Sequence, residues 1–369
     1  MSISSRTRWL KYGGILVFTM VASAFLAEEV FRFLGDSASM DLKGLYTAFG
    51  NRSYKLSANV DTDASWSAGH FSVHTDSLGL RCDKARLFGV KPGDSVDVVF
   101  MGDSQGFGNG VNFEETIAGR VAVEATGAGR RVANCAVGGH TLRNQEELLG
   151  WLQERSNVKT TAAYVVLLTP SLSLHSANYT HAEVGADGRL YGKSFNALGR
   201  LVVWFKTHAV SYARMRDALH NSGLIPAAEN TPQVLQLYRS DVGPEQARQS
   251  LLSVLKELQE RARAQGASLF LAYVPLALEA DFSSLTKVAE QKGMALNRDR
   301  PLNVCVSVAK ELGVPLWNLR PVLEELRAKG HPLSLKGDPH YAPGTSAACG
   351  NELWSELELF LDKPHNDRR

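Results

Sequence analysis

VDVVFMGDSQGFGNGV (residues 96–111) decides how the rest of the chain is read. Its first half, VDVVFMG (96–102), is a short β-branched apolar run closed by glycine, the pattern of a strand buried on both faces of a parallel sheet. Gly102 allows a sharp exit from that strand. Ser104 then falls in the loop just past the strand's C-terminal end, where open α/β sheets bind their ligands. Downstream, FEETIAGRVAVEA (113–125) has helical spacing, with acidic residues in the first turn where they suit the helix dipole. RVANCAV (131–137) reads as a strand, NQEELLGWLQER (144–155) as a helix and AYVVLLT (163–169) as a third strand. This βαβαβ alternation, with helices long enough to cross over, predicts a parallel sheet in an α/β fold.

The alternation pauses between about residues 170 and 242, which holds the amphipathic-looking LVVWFKTHAVSYARMRDAL (201–219) and a looser IPAAENTP (225–232). An interruption of that length needs helices of its own and reads as an insertion or lid over the C-terminal edge of the sheet. The pattern resumes with a helix over 244–266, closed by Gly266, then a strand at 267–275. A helix around 301–312, a short strand VPLWNL (314–319) and a last helix near 345–361 complete it. Upstream, HFSVHTDSLGLR (70–81) reads as an extended segment followed by a turn.

The N-terminus is unlike the rest. Residues 12–27, YGGILVFTMVASAFLA, carry no charge; Arg6, Arg8 and Lys11 precede them and Glu28 and Glu29 follow. Basic residues before an apolar run place the N-terminus in the cytoplasm and the remainder outside. Ala22-Ser23-Ala24 resembles a signal-peptidase site, but the apolar pattern continues to Leu34, so an uncleaved signal anchor is expected. The expected organisation is a transmembrane helix at 1–35, a membrane-proximal linker with pre-domain strands at 36–95, and an α/β domain at 96–365. That places the domain in the periplasm or outside the cell, tethered to the inner membrane.

Composition excludes more than it assigns. Lys and Arg number 40 against 38 Asp and Glu, a net charge of +2, which gives no electrostatic case for a nucleic-acid partner. Cys82, Cys135, Cys305 and Cys349 are widely spaced; export permits disulfides, and the sequence does not choose among the pairings. His70 and His74 fall on one face of a strand with no third ligand, so no metal site and no cofactor are expected.

Ser104 alone is ambiguous, because a serine in a strand-to-helix loop is often only a helix cap. KGDPHYAPGTSAACGNELW (336–354) changes the weighing, since it places Asp338 and His340 just before the last helix. A serine hydroxyl needs an imidazole base to attack a carbonyl, and that imidazole needs a carboxylate to fix its tautomer. Asp-Pro-His supplies both within three residues. An Asp-Pro turn beside a surface histidine is the competing reading of the same residues.

With those residues in view, the chain resembles the SGNH (GDSL-type) hydrolase superfamily, whose members have a three-layer α/β/α flavodoxin-like fold. Gly102-Asp103-Ser104 is similar to the first block, which supplies the nucleophile. NCAVGGHT (134–141) is similar to the second, which places an oxyanion-hole N–H at Gly139. Asp338-Pro339-His340 resembles the last block, in the Asp-x-His spacing of alginate O-acetyltransferase-like proteins. SVHTDSLGLR resembles a strand preceding the domain in membrane-anchored bacterial members. The third block's Gly-x-Asn is absent; the strand runs instead into TPSLSLHSANY (169–179), where Ser171, Ser173 and Asn178 are the candidates for the missing donor.

The resemblance implies serine-dependent acyl-ester chemistry on an acylated envelope or extracellular glycan or another ester. Ser104 would be the nucleophile, His340 the base and Asp338 its orienting carboxylate. The N–H groups of Ser104 and Gly139, with Asn178, would hold the oxyanion. Two alternatives stand beside it: an O-acetyltransferase partnered with a multispanning membrane acyltransferase, and a non-catalytic accessory subunit that keeps the fold.

Overall fold

A computed structural model describes residues 40–50, 53–66, 69–174, 182–186, 188–192, 232–336 and 338–363, together with parts of 12–30. The chain divides into two units, 1–41 with 195–225 and 42–194 with 226–369. The second unit carries the strands predicted from the sequence.

Its elements run as follows. A hairpin of β1 (Tyr46–Phe49) and β2 (Ser53–Leu56) leads into β3 (Asp61–Trp66), β4 (Gly69–Thr75) and β5 (Arg81–Cys82). Then come β6 (Ser95–Met101), the one-turn α1 (Ser104–Phe107), α2 (Ile117–Gly127), β7 (Val132–Asn134), α3 (Leu142–Glu154) and β8 (Lys159–Leu168). After a short α4 (Pro170–Leu174), a small antiparallel pair β9 (Ala182–Val184) and β10 (Leu190–Gly192) and a helix α5 (Pro232–Tyr238) fall within the predicted insertion. The chain closes with α6 (Glu245–Ala264), β11 (Ser268–Tyr273), α7 (Ser283–Gln291), α8 (Arg300–Leu312), β12 (Leu316–Asn318), α9 (Arg320–Ala328) and α10 (Pro343–Leu361).

The main sheet has the order β3-β4-β5-β7-β6-β8-β11-β12. From β7 to β12 every pairing is parallel, whereas β3, β4 and β5 join antiparallel through a single register pair between Arg81 and Asn134. The parallel part therefore runs 2-1-3-4-5, the flavodoxin-like order, with its topological switch beside β6. Alternation along the strands fills two cores. Val99, Met101, Tyr164, Val166, Leu269 and Leu271 face α3, α6 and α8. Val98, Phe100, Val165, Leu167, Phe270 and Ala272 face α2, α9 and α10. The arrangement is a three-layer α/β/α sandwich, in which each fully buried aliphatic side chain contributes roughly 1.5–3 kcal/mol.

Several expectations change. The strand read over 131–137 pairs only at Val132–Asn134, because the chain then turns through Gly138 and Gly139 toward α3. The helix read over 113–125 is split, with a 3-10 turn at Phe113–Glu115 before Thr116 caps α2. None of the four cysteines is disulfide-bonded and all are buried. Cys135 and Cys305 lie in one core and Cys349 in the other, and burial pushes the Cys82 thiol up to about 12. His74 pairs with Asp61 across β3 and β4 at 2.7 Å. The amphipathic segment at 201–219 lies outside the described residues.

The anchor expected at 1–35 is described only in part. Among its described residues, those between Tyr12 and Val30 are helical and expose Leu16, Phe18, Phe25 and Leu26. No helix among the described residues is long and apolar enough to cross a membrane.

Candidate active site

Ser104 begins α1 immediately beyond β6, at the switch of the sheet. Asp103 caps that turn, accepting from the N–H of Gln105 at 3.0 Å with one carboxylate oxygen and from the Thr169 hydroxyl at 2.6 Å with the other. Burial raises the Asp103 carboxyl above its usual range, and these two hydrogen bonds oppose the rise. The Asp of GDS is therefore spent on locking the end of β8 to the nucleophile turn. Gly106 lets the turn lie against its neighbours, since a Cβ there would sit 2.9 Å from the Cβ of Ala136. Asn134 closes the same junction, its Nδ2 donating to the carbonyl of Gly106 at 3.2 Å and its Oδ1 accepting from the N–H of Ala136 at 3.0 Å.

His340 reaches Ser104 from the loop before α10. Its Nε2 lies 2.8 Å from Ser104 Oγ, and its Nδ1 lies 2.5 Å from Asp338 Oδ1. The same Asp338 oxygen also accepts from the backbone N–H of His340 at 2.9 Å, so the carboxylate holds ring and main chain together. Both side chains are largely buried, at 13% and 10% exposure, which keeps competing water from the Asp–His bond. With Nδ1–H donated to Asp338, Nε2 is left as the acceptor for the Ser104 hydroxyl. That is the geometry of a general base on a nucleophile.

Gln105 locks the two loops together. Its Nε2 donates to the carbonyl of Pro339 at 3.2 Å, and its Oε1 accepts from the N–H of Tyr341 at 3.3 Å. The residue after the nucleophile thus grips the main chain on both sides of the histidine. Tyr341 adds a bond from its hydroxyl to the carbonyl of Pro275, just past β11.

The second loop approaches from the other side. A Cβ on Gly138 would lie 3.9 Å from the Cβ of Ser104 and 3.3 Å from the hydroxyl of Tyr46. Gly139 adopts φ +79°, where a Cβ would also run into the Tyr54 hydroxyl at 2.7 Å, so only glycine suits. Tyr54 donates to the carbonyl of Gly138 at 2.9 Å. In a trans peptide the C=O and the following N–H point in opposite directions, so this bond orients the N–H of Gly139 away from Tyr54. His140 supports the turn: its Nε2–H meets the carbonyl of Tyr54 at 2.7 Å, and its Nδ1 accepts from Gln145 at 2.9 Å. Burial drops the His140 pKa to about 4, and the imidazole stays neutral.

Ser104, Asp338, His340 and the Gly138–Gly139 turn are thus brought together. Ser171 is exposed on α4, and Asn178 lies outside the described residues. Gln105, Tyr54 and Asn109 at the site escaped the sequence reading. Asn109, 5% exposed, directs Nδ2 toward His340 Nε2 at 3.5 Å. Its signal was present in the run Gly108-Asn109-Gly110, where an asparagine sits between two glycines with φ of +84° and +82°.

No family model matches the chain, and no curated protein matches it. Solved structures similar to it include an acetyl xylan esterase, 15% identical, spanning 71% of this chain and 100% of that one with a TM-score of 0.38. A carbohydrate acetylesterase from Sinorhizobium meliloti is 11% identical over 72% of this chain and 99% of its own, with a TM-score of 0.39. The esterase EstA from Pseudoalteromonas sp. is 11% identical over 72% and 99%, with a TM-score of 0.38. The chain thus has a flavodoxin-like 2-1-3-4-5 strand order, a serine after its first strand and an Asp-x-His before its last helix, the features the sequence resemblance to SGNH-type hydrolases implies.

Proposed function

We propose that the chain is a serine-dependent acyl-ester hydrolase. The observation that carries this reading is the continuous Ser104–His340–Asp338 relay, with bonds of 2.8 and 2.5 Å. In this mechanism Ser104 Oγ attacks the ester carbonyl carbon as its proton passes to His340 Nε2. Asp338 stabilises the imidazolium that results. The tetrahedral oxyanion accepts from the N–H groups of Ser104 and Gly139. Collapse expels the alcohol, which takes the proton from His340, and water then frees Ser104 by the same steps in reverse.

An acylated envelope glycan is the substrate class this reading favours, on the strength of the sequence resemblance. The exposed apolar side chains between Tyr12 and Val30 support attachment to a membrane. Recovery of the full-length protein in the soluble fraction of lysed cells, without detergent, would count against attachment.

Ser104→Ala tests the chemistry. Hydrolysis of p-nitrophenyl acetate should fall by about 10³-fold or more, and labelling by a fluorophosphonate should vanish. Undiminished labelling of the variant would sink the assignment. Acyl transfer to an added oligosaccharide in preference to water would instead identify an O-acetyltransferase.

A further inference from the structure

We propose that Asn109 supplies the side-chain donor of the oxyanion hole, the part that Gly-x-Asn plays in the family the sequence resembles. The inference rests on the reading of Ser104 as nucleophile. Asn109 rides on the nucleophile turn itself, its N–H donating to the carbonyl of Ser104 at 3.1 Å. Gly108, at φ +84°, folds the chain back so that the Asn109 side chain returns to the site. The carboxamide lies in the wedge between Ser104 and the second loop. Its Oδ1 is 3.7 Å from where a Cβ on Gly138 would be, and that same position is 3.9 Å from the Ser104 Cβ.

The hydrogen bonding is that of a residue held ready. Asn109 is buried, yet its Oδ1 has no hydrogen-bond partner among the described residues. The large majority of buried side-chain polar atoms have a hydrogen-bond partner, so an unpaired amide oxygen marks this carboxamide out. Nδ2 has only a long contact, 3.5 Å, to the imidazole nitrogen that also receives the Ser104 hydroxyl. At the end of β8 the Thr169 hydroxyl is bonded to Asp103, and Pro170 has no N–H to offer.

The contact to His340 makes the donor selective for the transition state. In the resting site Nε2 is an acceptor and Nδ2–H leans on it. As Ser104 Oγ bonds to the carbonyl carbon, the C=O π pair moves to oxygen and the Ser104 proton moves to Nε2. The imidazolium Nε2–H no longer accepts, so the Asn109 Nδ2–H is released to the new oxyanion. A donor engaged only once charge has developed lowers the barrier without tightening substrate binding.

The experiment compares wild type, Ser104→Ala, Asn109→Ala and Asn109→Asp in p-nitrophenyl acetate hydrolysis from pH 5 to 9. The Asn109 variants should lose about 10²–10³ in kcat with KM within about threefold and with the acid limb of kcat/KM unmoved. Asn109→Asp, close in shape and without the N–H donors, carries the test should the alanine variant fail to fold. A kcat within about fivefold of wild type overturns the proposal. So does a loss that appears wholly as a displaced acid limb, which would make Asn109 a residue positioning His340. If the wild type itself shows no turnover that depends on Ser104, the reading of the nucleophile falls first and the proposal with it; Ser104-dependent turnover with normal Asn109 variants overturns the proposal alone.

Discussion

Gln105 follows the nucleophile in sequence and bonds to main-chain groups on both sides of His340, more than 230 residues away. Gln105→Leu keeps the volume and removes both bonds, leaving the Tyr341 N–H and the Pro339 carbonyl unpaired. Each such group costs about 1–3 kcal/mol when buried, and a misplaced base loses proton-transfer efficiency. Activity should fall about 10- to 100-fold in kcat, read from steady-state kinetics, and an unchanged kcat would show that Asp338 alone positions the ring. The contrast with the relay explains what was legible. Asp338 and His340 are two residues apart, so their chemistry could be read from a local string. Gln105, Tyr54 and Asn109 look like ordinary polar residues until the fold brings their partners to them.

At the scale of elements, the parallel strands were legible because burial on both faces demands unbroken apolar runs, as in β6 and β8. The antiparallel extension was legible only in part: HFSVH read as extended, as β4 is, but its pairing onto the parallel sheet did not show. β3 and β4 carry Asp61, Asp63, Ser72 and His74, which give no such run, and β5 is only two residues long. Yet β5 matters to the site through Arg81. This fully buried guanidinium donates to the carbonyls of Phe107, Gly108 and Val111, the last two at 2.8 and 2.6 Å. It also stacks over the Phe107 ring, 4.4 Å from its centroid. A two-residue strand inside the sheet thus holds the loop that carries Asn109. Arg81→Met should strand three carbonyls and cost about 3 kcal/mol or more. Tm should drop by roughly 5–10 °C, with kcat down about tenfold as the Ser104 turn loosens. A melt indistinguishable from wild type would mean that the loop keeps its shape without the arginine.

Across the whole molecule, two cores press on one sheet, and the buried second loop couples the site to global stability. His140 is the coupling point, packed edge-on to Tyr54 with ring centroids 4.7 Å apart and hydrogen-bonded through both nitrogens in its neutral form. Its pKa in the fold is about 4, from burial, against an ordinary value of 6.5. Between those limits the unfolded chain holds a proton on His140 that the folded chain does not. Unfolding then takes up a proton, so stability is fully present above pH 6.5 and declines as pH falls toward 4, by up to roughly 1.4 kcal/mol per pH unit. His140→Gln retains a donor and an acceptor and removes the titration. The variant should be less stable than wild type at pH 7.5, because the glutamine fills the aromatic slot poorly. The gap should narrow or reverse by pH 4.5, where only the wild type has lost the histidine's contribution. Urea unfolding at the two pH values measures both gaps, and the carboxylates shared by the two proteins cancel in the comparison. A gap that stays constant or widens on acidification would show that His140 is not the group that ties the second loop to acid stability.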